Sequence, residues 1–237
     1  MKAILLSAGY GTRLKPITNR IPKCLVEIDG KPLLSIWLDI LIKAGITEIL
    51  INTHYLENVV LDFINDSKYK NFVHIVYEEK LLGTGGTLLK NKNWLQEEPV
   101  ILIHADNLSI FNIIDFINSH NNRNKICEIT MMTFVTDNPS SCGIVEIENN
   151  IVIKFYEKID NPPSNLANGA IYIIEPTVFS FLESMKKDII DFSTEVIPNY
   201  LGKINIFQNK TYHRDIGNID SYNKANIEYK QFKTNSI

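Results

Sequence analysis

Lys2-Ala-Ile-Leu-Leu-Ser-Ala-Gly-Tyr-Gly-Thr-Arg13 decides the fold class, because an almost unbroken apolar run, Lys2 to Ser7, opens directly into a glycine-bearing loop. Such a run predicts a parallel strand buried on both faces. Ligands of open α/β sheets bind beyond the carboxyl ends of the strands. The loop formed by Ala8, Gly9, Gly11 and Thr12 is therefore the expected seat for phosphates. Glycines let backbone N–H groups approach anionic oxygens, Thr12 adds a hydroxyl, and Arg13 adds a fixed cationic fork. Lys23, in Ile21-Pro22-Lys23, brings a second cation to the same cleft. Two glycines alone also suit a plain turn from strand to loop; Arg13, Pro16 and Pro22-Lys23 together favour the phosphate reading. A P-loop is excluded, since no Gly-Lys-Ser/Thr occurs. The dinucleotide fingerprint fails as well: Leu14 stands where a third glycine is needed, and Asp29 is better explained by a turn with Gly30.

Outward from this loop, strand and helix alternate through the first half of the chain. After a short run from Cys24 to Ile28, Leu34, Trp37, Leu38 and Leu41 recur at helical spacing, with Gly45 as a stop. Strands are expected at Glu48 to Asn52, Phe72 to Tyr77 and Pro99 to His104, and helices at Leu56 to Ile64 and from Leu82 to about Asn91. The second half reads as strands at Ile126 to Val135, Cys142 to Ile147, Ile151 to Tyr156 and Asn168 to Ile174, with a hairpin turn at Glu148-Asn149-Asn150. Helices are expected at Thr177 to Met185, Thr194 to Leu201 and Ile219 towards Tyr229. The fold class is α/β, a three-layer Rossmann-like mixed and mostly parallel sheet. No linker or repeat divides the chain. One domain over 1–237 is expected, with a nucleotide-facing half to about residue 110 and a second half that covers it.

Composition narrows the function classes. Of 237 residues, 45% are hydrophobic and 22% charged, so a sizeable core can form. The net charge of −3, from 24 Lys and Arg against 27 Asp and Glu, carries no basic face, so nucleic acid is not an expected partner. Three cysteines without metal spacing suit a reduced compartment. No run reaches the length of a membrane span. A cytoplasmic soluble protein with small-molecule substrates is expected; the oligomeric state stays open, a homodimer included.

Lys2-Ala-Ile-Leu-Leu-Ser-Ala-Gly-Tyr-Gly-Thr-Arg-Leu-Lys-Pro-Ile-Thr, followed by Ile-Pro-Lys-Cys-Leu-Val-Glu-Ile and Lys31-Pro32-Leu33, resembles the opening of the sugar-phosphate nucleotidyltransferases, and matches recur as far as Asp215-Ile-Gly217. The resemblance implies a GT-A-like fold and an enzyme that joins a nucleoside triphosphate to a sugar 1-phosphate with release of pyrophosphate. It implies that the loop and Arg13 hold the triphosphate and that Lys23 contacts phosphate. Asp106, just past a buried strand, and Asp215 correspond to the family's two magnesium-binding aspartates, where Ala105 replaces the usual glycine. Leu82-Gly83-Thr84-Gly85-Gly86-Thr87 resembles the base-reading segment, with Glu79 beside it. Gly143, Glu157, Lys158 and Asn168 correspond to sugar-binding positions. Each has a plainer reading too: a helix cap or turn for the aspartates, a helix entrance for the glycines, a solvated ion pair for Glu157 and Lys158. The five histidines are read as structural.

A sugar 1-phosphate is already anionic at neutral pH, so no general base is needed. Catalysis then reduces to clamping and positioning polyanions. Arg13 would stabilise the leaving pyrophosphate and Lys23 the attacking phosphate. The glycine-rich segment resembles that of guanylyltransferases acting on mannose or heptose 1-phosphates, with uridylyl, cytidylyl and thymidylyl transfer as alternatives. Relatives that bind nucleotide-sugar without turnover would lose Arg13, Lys23 or an aspartate, and all four are kept. The sequence stops soon after Asp215, so an acetyltransferase-fused enzyme with a C-terminal repeat domain is not expected.

Overall fold

In the computed structural model, which describes residues 1–234, the apolar runs become strands in the order expected of an α/β protein. The elements begin with β1 (Lys2–Leu6), β2 (Glu27–Ile28), β3 (Lys31–Pro32), α1 (Leu33–Lys43), β4 (Ile49–Thr53), α2 (Glu57–Asn65) and β5 (Val73–Tyr77). They continue with α3 (Gly83–Lys90), α4 (Lys92–Leu95), β6 (Val100–His104), β7 (Asn107–Ile110), α5 (Ile113–Asn121) and β8 (Ile129–Val135). The last are β9 (Gly143–Glu148), β10 (Ile151–Glu157), β11 (Leu166–Ile174), α6 (Thr177–Ser184), β12 (Ile204–Gln208), β13 (Tyr212–Asp215) and α7 (Ile219–Thr234). The chain forms two compact units. The first takes Ala3–Leu81, His104–Ile110 and the chain from Tyr212; the second takes Met1–Lys2, Leu82–Ile103 and Phe111–Thr211.

In the first unit, β5, β4 and β1 pair in parallel, in that order. Every residue of β4 is buried, which is why its sequence shows no alternation. All three strands end at the same edge, so the segments after Leu6, Thr53 and Tyr77 emerge together. Helix α1 buries Trp37, whose indole donates to the Asn107 carbonyl at 2.9 Å, fixing the start of β7. Gly45, at φ 82°, ends the helix in the left-handed region. Strands β7 and β13 pair antiparallel and set Asp215 opposite Asn107. Helix α7 is tied down where the Tyr222 hydroxyl donates to the Glu27 carbonyl and Arg214 forks onto Glu228 at 2.8 and 3.0 Å.

The second unit carries strands in the order β6-β11-β8-β12-β10-β9. Only β8 and β12 run parallel there; the other neighbours are antiparallel. The β9–β10 hairpin turns at Asn149 and Asn150, at φ 49° and 63°, the two left-handed residues that a type I′ turn requires. The strand pairing is thus mixed, with the Rossmann-like parallel set in the first unit.

Some segments differ from the sequence-based expectation. Cys24 to Ile28 is a 3-10 turn over Lys23–Leu25 followed by the short β2. Its apolar residues are buried under the glycine loop and do not extend a strand. Thr194 to Leu201 is a π-turn over Phe192–Val196 and a 3-10 turn over Ile197–Tyr200, because Pro198 lacks the N–H that a continuous α-helix needs. Strands β7, β12 and β13 and helix α5 were unexpected. They are short and interleave polar residues, which hides their periods.

His120, on α5, is the most confined histidine. Its Nδ1 meets Thr130 Oγ1 at 2.8 Å and its Nε2 meets Glu175 Oε1 at 3.0 Å, with the side chain only 1% exposed. Burial, helped by the nearby Arg123 charge and opposed by Glu175, pulls its pKa from 6.5 down to about 4. The folded form therefore resists protonation that the unfolded chain accepts. This contribution is fully present above about pH 6.5 and is lost as pH falls towards 4, on the order of 2–3 kcal/mol. Denaturant midpoints should fall across that window in the wild type, and His120→Gln should flatten the slope. An unchanged slope in the variant would assign the acid sensitivity elsewhere.

Candidate active site

The first unit gathers Arg13, Lys23, Asp106 and Asp215. Beyond β1, Gly11 adopts φ 61°; a Cβ there would lie 3.0 Å from Thr18 Cγ2 and 3.3 Å from Lys23 Cβ. The Thr18 hydroxyl donates to the Gly11 carbonyl at 2.7 Å, closing the loop, and Thr12–Leu14 make a single 3-10 turn that presents Arg13. A cavity of about 280 Å³ opens here, lined by Ser7, Gly9, Arg13, Lys23, Asp106 and Gly217 among others.

Lys23 is the centre of this cavity's charge. Its side chain is only 9% exposed, and Nζ lies 2.7 Å from Asp106 Oδ2 and 3.3 Å from Asp215 Oδ1. Three segments make that meeting possible. The Ala105 amide donates to the Leu6 carbonyl at 3.1 Å, which fastens the Asp106 segment to β1. The β7–β13 register carries Asp215 in from the other end of the chain. Gly217 completes the approach: a Cβ there would sit 2.7 Å from Asp215 Oδ2 and 3.3 Å from Arg13 Nη2, so only glycine leaves that space free.

The electrostatics follow from these distances. Burial alone would push the Asp106 carboxyl up; the Lys23 charge and hydrogen bond, with His104, outweigh it and hold the group below its usual range. Burial pushes the Cys24 thiol up to about 12, so it is no thiolate nucleophile. Burial, only partly offset by Asp106, pulls His213 down to about 3, and its Nδ1 lies 2.5 Å from Ser109 Oγ. His213 is thus a neutral, bonded residue, and Arg214 is spent on Glu228.

Among the described residues no group of three or more His, Cys, Asp and Glu is placed to hold a metal ion. The donor set here is two carboxylates converging on one cation, with Asp106 40% and Asp215 57% exposed. Magnesium is commonly held by one or two carboxylates, with water and substrate phosphates completing its shell. The pair fits that pattern.

The remaining expected residues divide by unit. Ala8 is buried in the loop, and Glu79 is exposed just beyond β5. Gly83 and Thr84 open α3 in the second unit, where packing explains the glycines. The Gly85 and Gly86 amides both donate to the Ile190 carbonyl, at 2.8 and 3.2 Å, and Thr84 Oγ1 accepts from the Phe192 amide at 2.7 Å. Gly143 lies opposite Glu157 in the β9–β10 register, and Lys158 Nζ is 3.3 Å from Glu157 Oε1. Asn168 accepts from the Ala170 amide at 2.9 Å and donates to the Tyr172 hydroxyl at 2.6 Å, fixing a bulge in β11.

Three residues went unnoticed in the sequence: Asn52, His54 and Glu78. Asn52 Oδ1 accepts from the Ser7 amide at 2.8 Å, and its Nδ2 donates to Glu78 Oε1 at 3.0 Å. The available signal was Asn52-Thr-His54 at the carboxyl end of a buried strand, where polar side chains need a reason.

With this geometry in place, comparison with known proteins defines the class. The chain belongs to the nucleotidyl transferase family, which it matches over residues 2–231. It is 32% identical over 214 residues to a protein of Oryza sativa subsp. japonica named probable mannose-1-phosphate guanylyltransferase 3, an alignment covering 87% of this chain and 58% of the rice protein. The structure of HddC from Yersinia pseudotuberculosis complexed with GMP-PN superposes with a TM-score of 0.80 at 25% identity, covering 96% of this chain and 99% of that one. A putative glucose-1-phosphate thymidylyltransferase from Bacillus anthracis, in complex with a sucrose, shares the fold at a TM-score of 0.87 and 23% identity, over 96% and 94% of the two chains.

If the Lys23 ammonium holds the Asp106 carboxylate ionised, Lys23→Met should raise the pH at which Asp106 titrates, read by carboxyl-carbon NMR. An unmoved titration would detach Asp106 from Lys23.

Proposed function

We propose that this protein is a sugar-1-phosphate guanylyltransferase, joining GTP to a mannose- or heptose-type sugar 1-phosphate and releasing pyrophosphate. The observation that carries the reading is that Arg13, Lys23 and Asp106 line one glycine-bearing cavity, with Asp215 reaching the same Lys23 ammonium. The base rests on the name of the rice relative and on the GMP-PN complex of HddC, mannose on the rice name, and heptose on the resemblance of the 82–87 segment.

In this reading a sugar 1-phosphate oxygen attacks the α-phosphorus of the nucleotide. The bond between the α-phosphorus and its bridging oxygen breaks, and the electron pair leaves with pyrophosphate. The nucleophile is ionised at neutral pH, so no side chain need remove a proton. This agrees with a site that offers no free base: His213 is neutral and bonded, and Cys24 is a protonated thiol. What the chain supplies is fixed positive charge. The Arg13 fork takes charge that accumulates on the departing pyrophosphate, and Lys23, with its side chain only 9% exposed, neutralises the attacking phosphate. Loop amides around Gly9 and Gly11 cradle the triphosphate. Asp106 and Asp215 would hold a magnesium ion, which when bound neutralises phosphate charge and aligns the reacting groups. Glu79, Gly83 and Thr84 are assigned to the base, and Gly143, Glu157, Lys158 and Asn168 to the sugar phosphate. The activity belongs to cytoplasmic nucleotide-sugar supply for polysaccharide synthesis. No described helix is long and apolar enough to cross a membrane.

A pyrophosphate-release panel crossing GTP, UTP, CTP and dTTP with several sugar 1-phosphates, plus magnesium, tests the reading. Turnover is expected first with GTP and mannose- or heptose-type 1-phosphates. Asp106→Ala and Asp215→Ala should each lower kcat at least about a thousandfold with the fold retained. Rates near wild type in either variant would remove the metal assignment, and silence across the panel would remove the enzyme.

A further inference from the structure

The glycine loop is held at both ends by one buried residue that the proposed chemistry does not use. Glu78 is 1% exposed, at the carboxyl end of β5. Its side chain accepts from Asn52 Nδ2, and Asn52 Oδ1 accepts from the Ser7 amide, which begins the loop. Its backbone carbonyl lies 2.6 Å from His54 Nδ1, and His54 Nε2 lies 2.9 Å from the Tyr10 hydroxyl, at the loop's tip. A carbonyl can only accept, so His54 Nδ1 carries the proton. In the neutral ring, Nε2 must then accept from Tyr10. The tautomer and the direction of every bond in the ring are fixed by this chemistry.

The Tyr10 side chain is otherwise hard to explain. Tyr10 is 49% exposed between two glycines, the least restrained setting available to a large aromatic. Yet its ring meets His54 edge-on at 5.3 Å and Tyr55 at 5.8 Å. Tyr55 adds a parallel tie, donating to the Thr18 carbonyl at 2.9 Å, while Thr18 closes on Gly11. His54 in turn lies nearly parallel to Tyr77, with ring centroids 6.2 Å apart and planes 15° apart.

We infer that Tyr10, His54 and Glu78 are positioning residues that pre-form the triphosphate loop before nucleotide arrives. The inference rests on the nucleotidyltransferase reading and goes beyond it, because none of these residues need touch the reacting atoms. A loop bearing Gly9 and Gly11 samples many backbone states when free. Ordering it in advance removes that entropic loss from the binding step, so the benefit falls on nucleotide affinity. The sugar 1-phosphate, which makes no use of the loop, should be indifferent.

Tyr10→Phe isolates the effect, since it deletes one hydroxyl and keeps the ring. Affinity for GTP with magnesium, by calorimetry, should weaken about fivefold, the loss of one hydrogen bond. His54→Ala should do the same, and the double variant should be no weaker than His54→Ala alone, because both act through one bond. In turnover, KM for GTP should rise while kcat and KM for the sugar 1-phosphate move less than twofold. GTP affinity at the wild-type value in Tyr10→Phe, or fully additive losses, would overturn the inference and leave the proposed function standing. Failure of wild-type protein to bind any of the four triphosphates would overturn both.

Discussion

The Lys23 ammonium between two carboxylates is the constraint on which the site depends. It joins residues 83 and 192 positions away along the chain, so it exists only when β1, the segment after β6 and the β7–β13 pair are all in place. A lysine 9% exposed has lost most of its water, a loss that only close opposite charge offsets. Two carboxylates drawn to one spot would repel each other without it. Each charge therefore makes the others tolerable. The balance is local and electrostatic, and the same three groups are the ones proposed to meet a polyanion.

That constraint explains why the site sits on the first unit's sheet edge. The parallel strands β5, β4 and β1 leave Glu78, His54 and Ser7 at one edge. Ser7 and Tyr10 are then joined through Asn52, His54 and Glu78 by hydrogen bonds of 2.6 to 3.0 Å. A site that works by fixed charge needs its charges and donors held still, because reorganising them during reaction would cost the stabilisation they offer. Strand β4, buried at every residue, supplies that rigidity.

The sequence made some of this legible and concealed the rest for identifiable reasons. The run Lys2 to Ser7 with its glycine loop, and the helical spacing of Leu34, Trp37, Leu38 and Leu41, carried strong periods and emerged as β1 and α1. Arg13 and Lys23 could be read as cations near phosphate because Gly9, Gly11 and the prolines gave them context. The convergence of Asp106 and Asp215 could not be read from spacing, since it depends on the β7–β13 register, and both of those strands were missed. β7 and β13 are four residues each, with Asn107, Ser109, His213 and Arg214 making them look like loop. Asn52, His54 and Glu78 were hidden differently: each lies in or beside a strand whose apolar neighbours dominate the reading.

Glycine shows most clearly where sequence reasoning needs coordinates. Gly11 is required by backbone conformation, at φ 61° with Thr18 closing over it. Gly217 is required by space, since a Cβ would meet Asp215 and the Arg13 guanidinium. Gly85 and Gly86 are required by a neighbouring backbone: a Cβ on Gly86 would lie 2.2 Å from the Asp188 carbonyl oxygen, and one on Gly85 2.7 Å from Ile190 Cγ2. The last pair drew attention as a surface for a planar base, but its amides are engaged by Ile190. The Leu82 carbonyl accepts from the Ile190 amide and the Gly83 carbonyl from the Thr87 hydroxyl, so the whole helix start is held by its neighbours. The glycine pair lets α3 dock closely on the 188–192 backbone, which is a packing role.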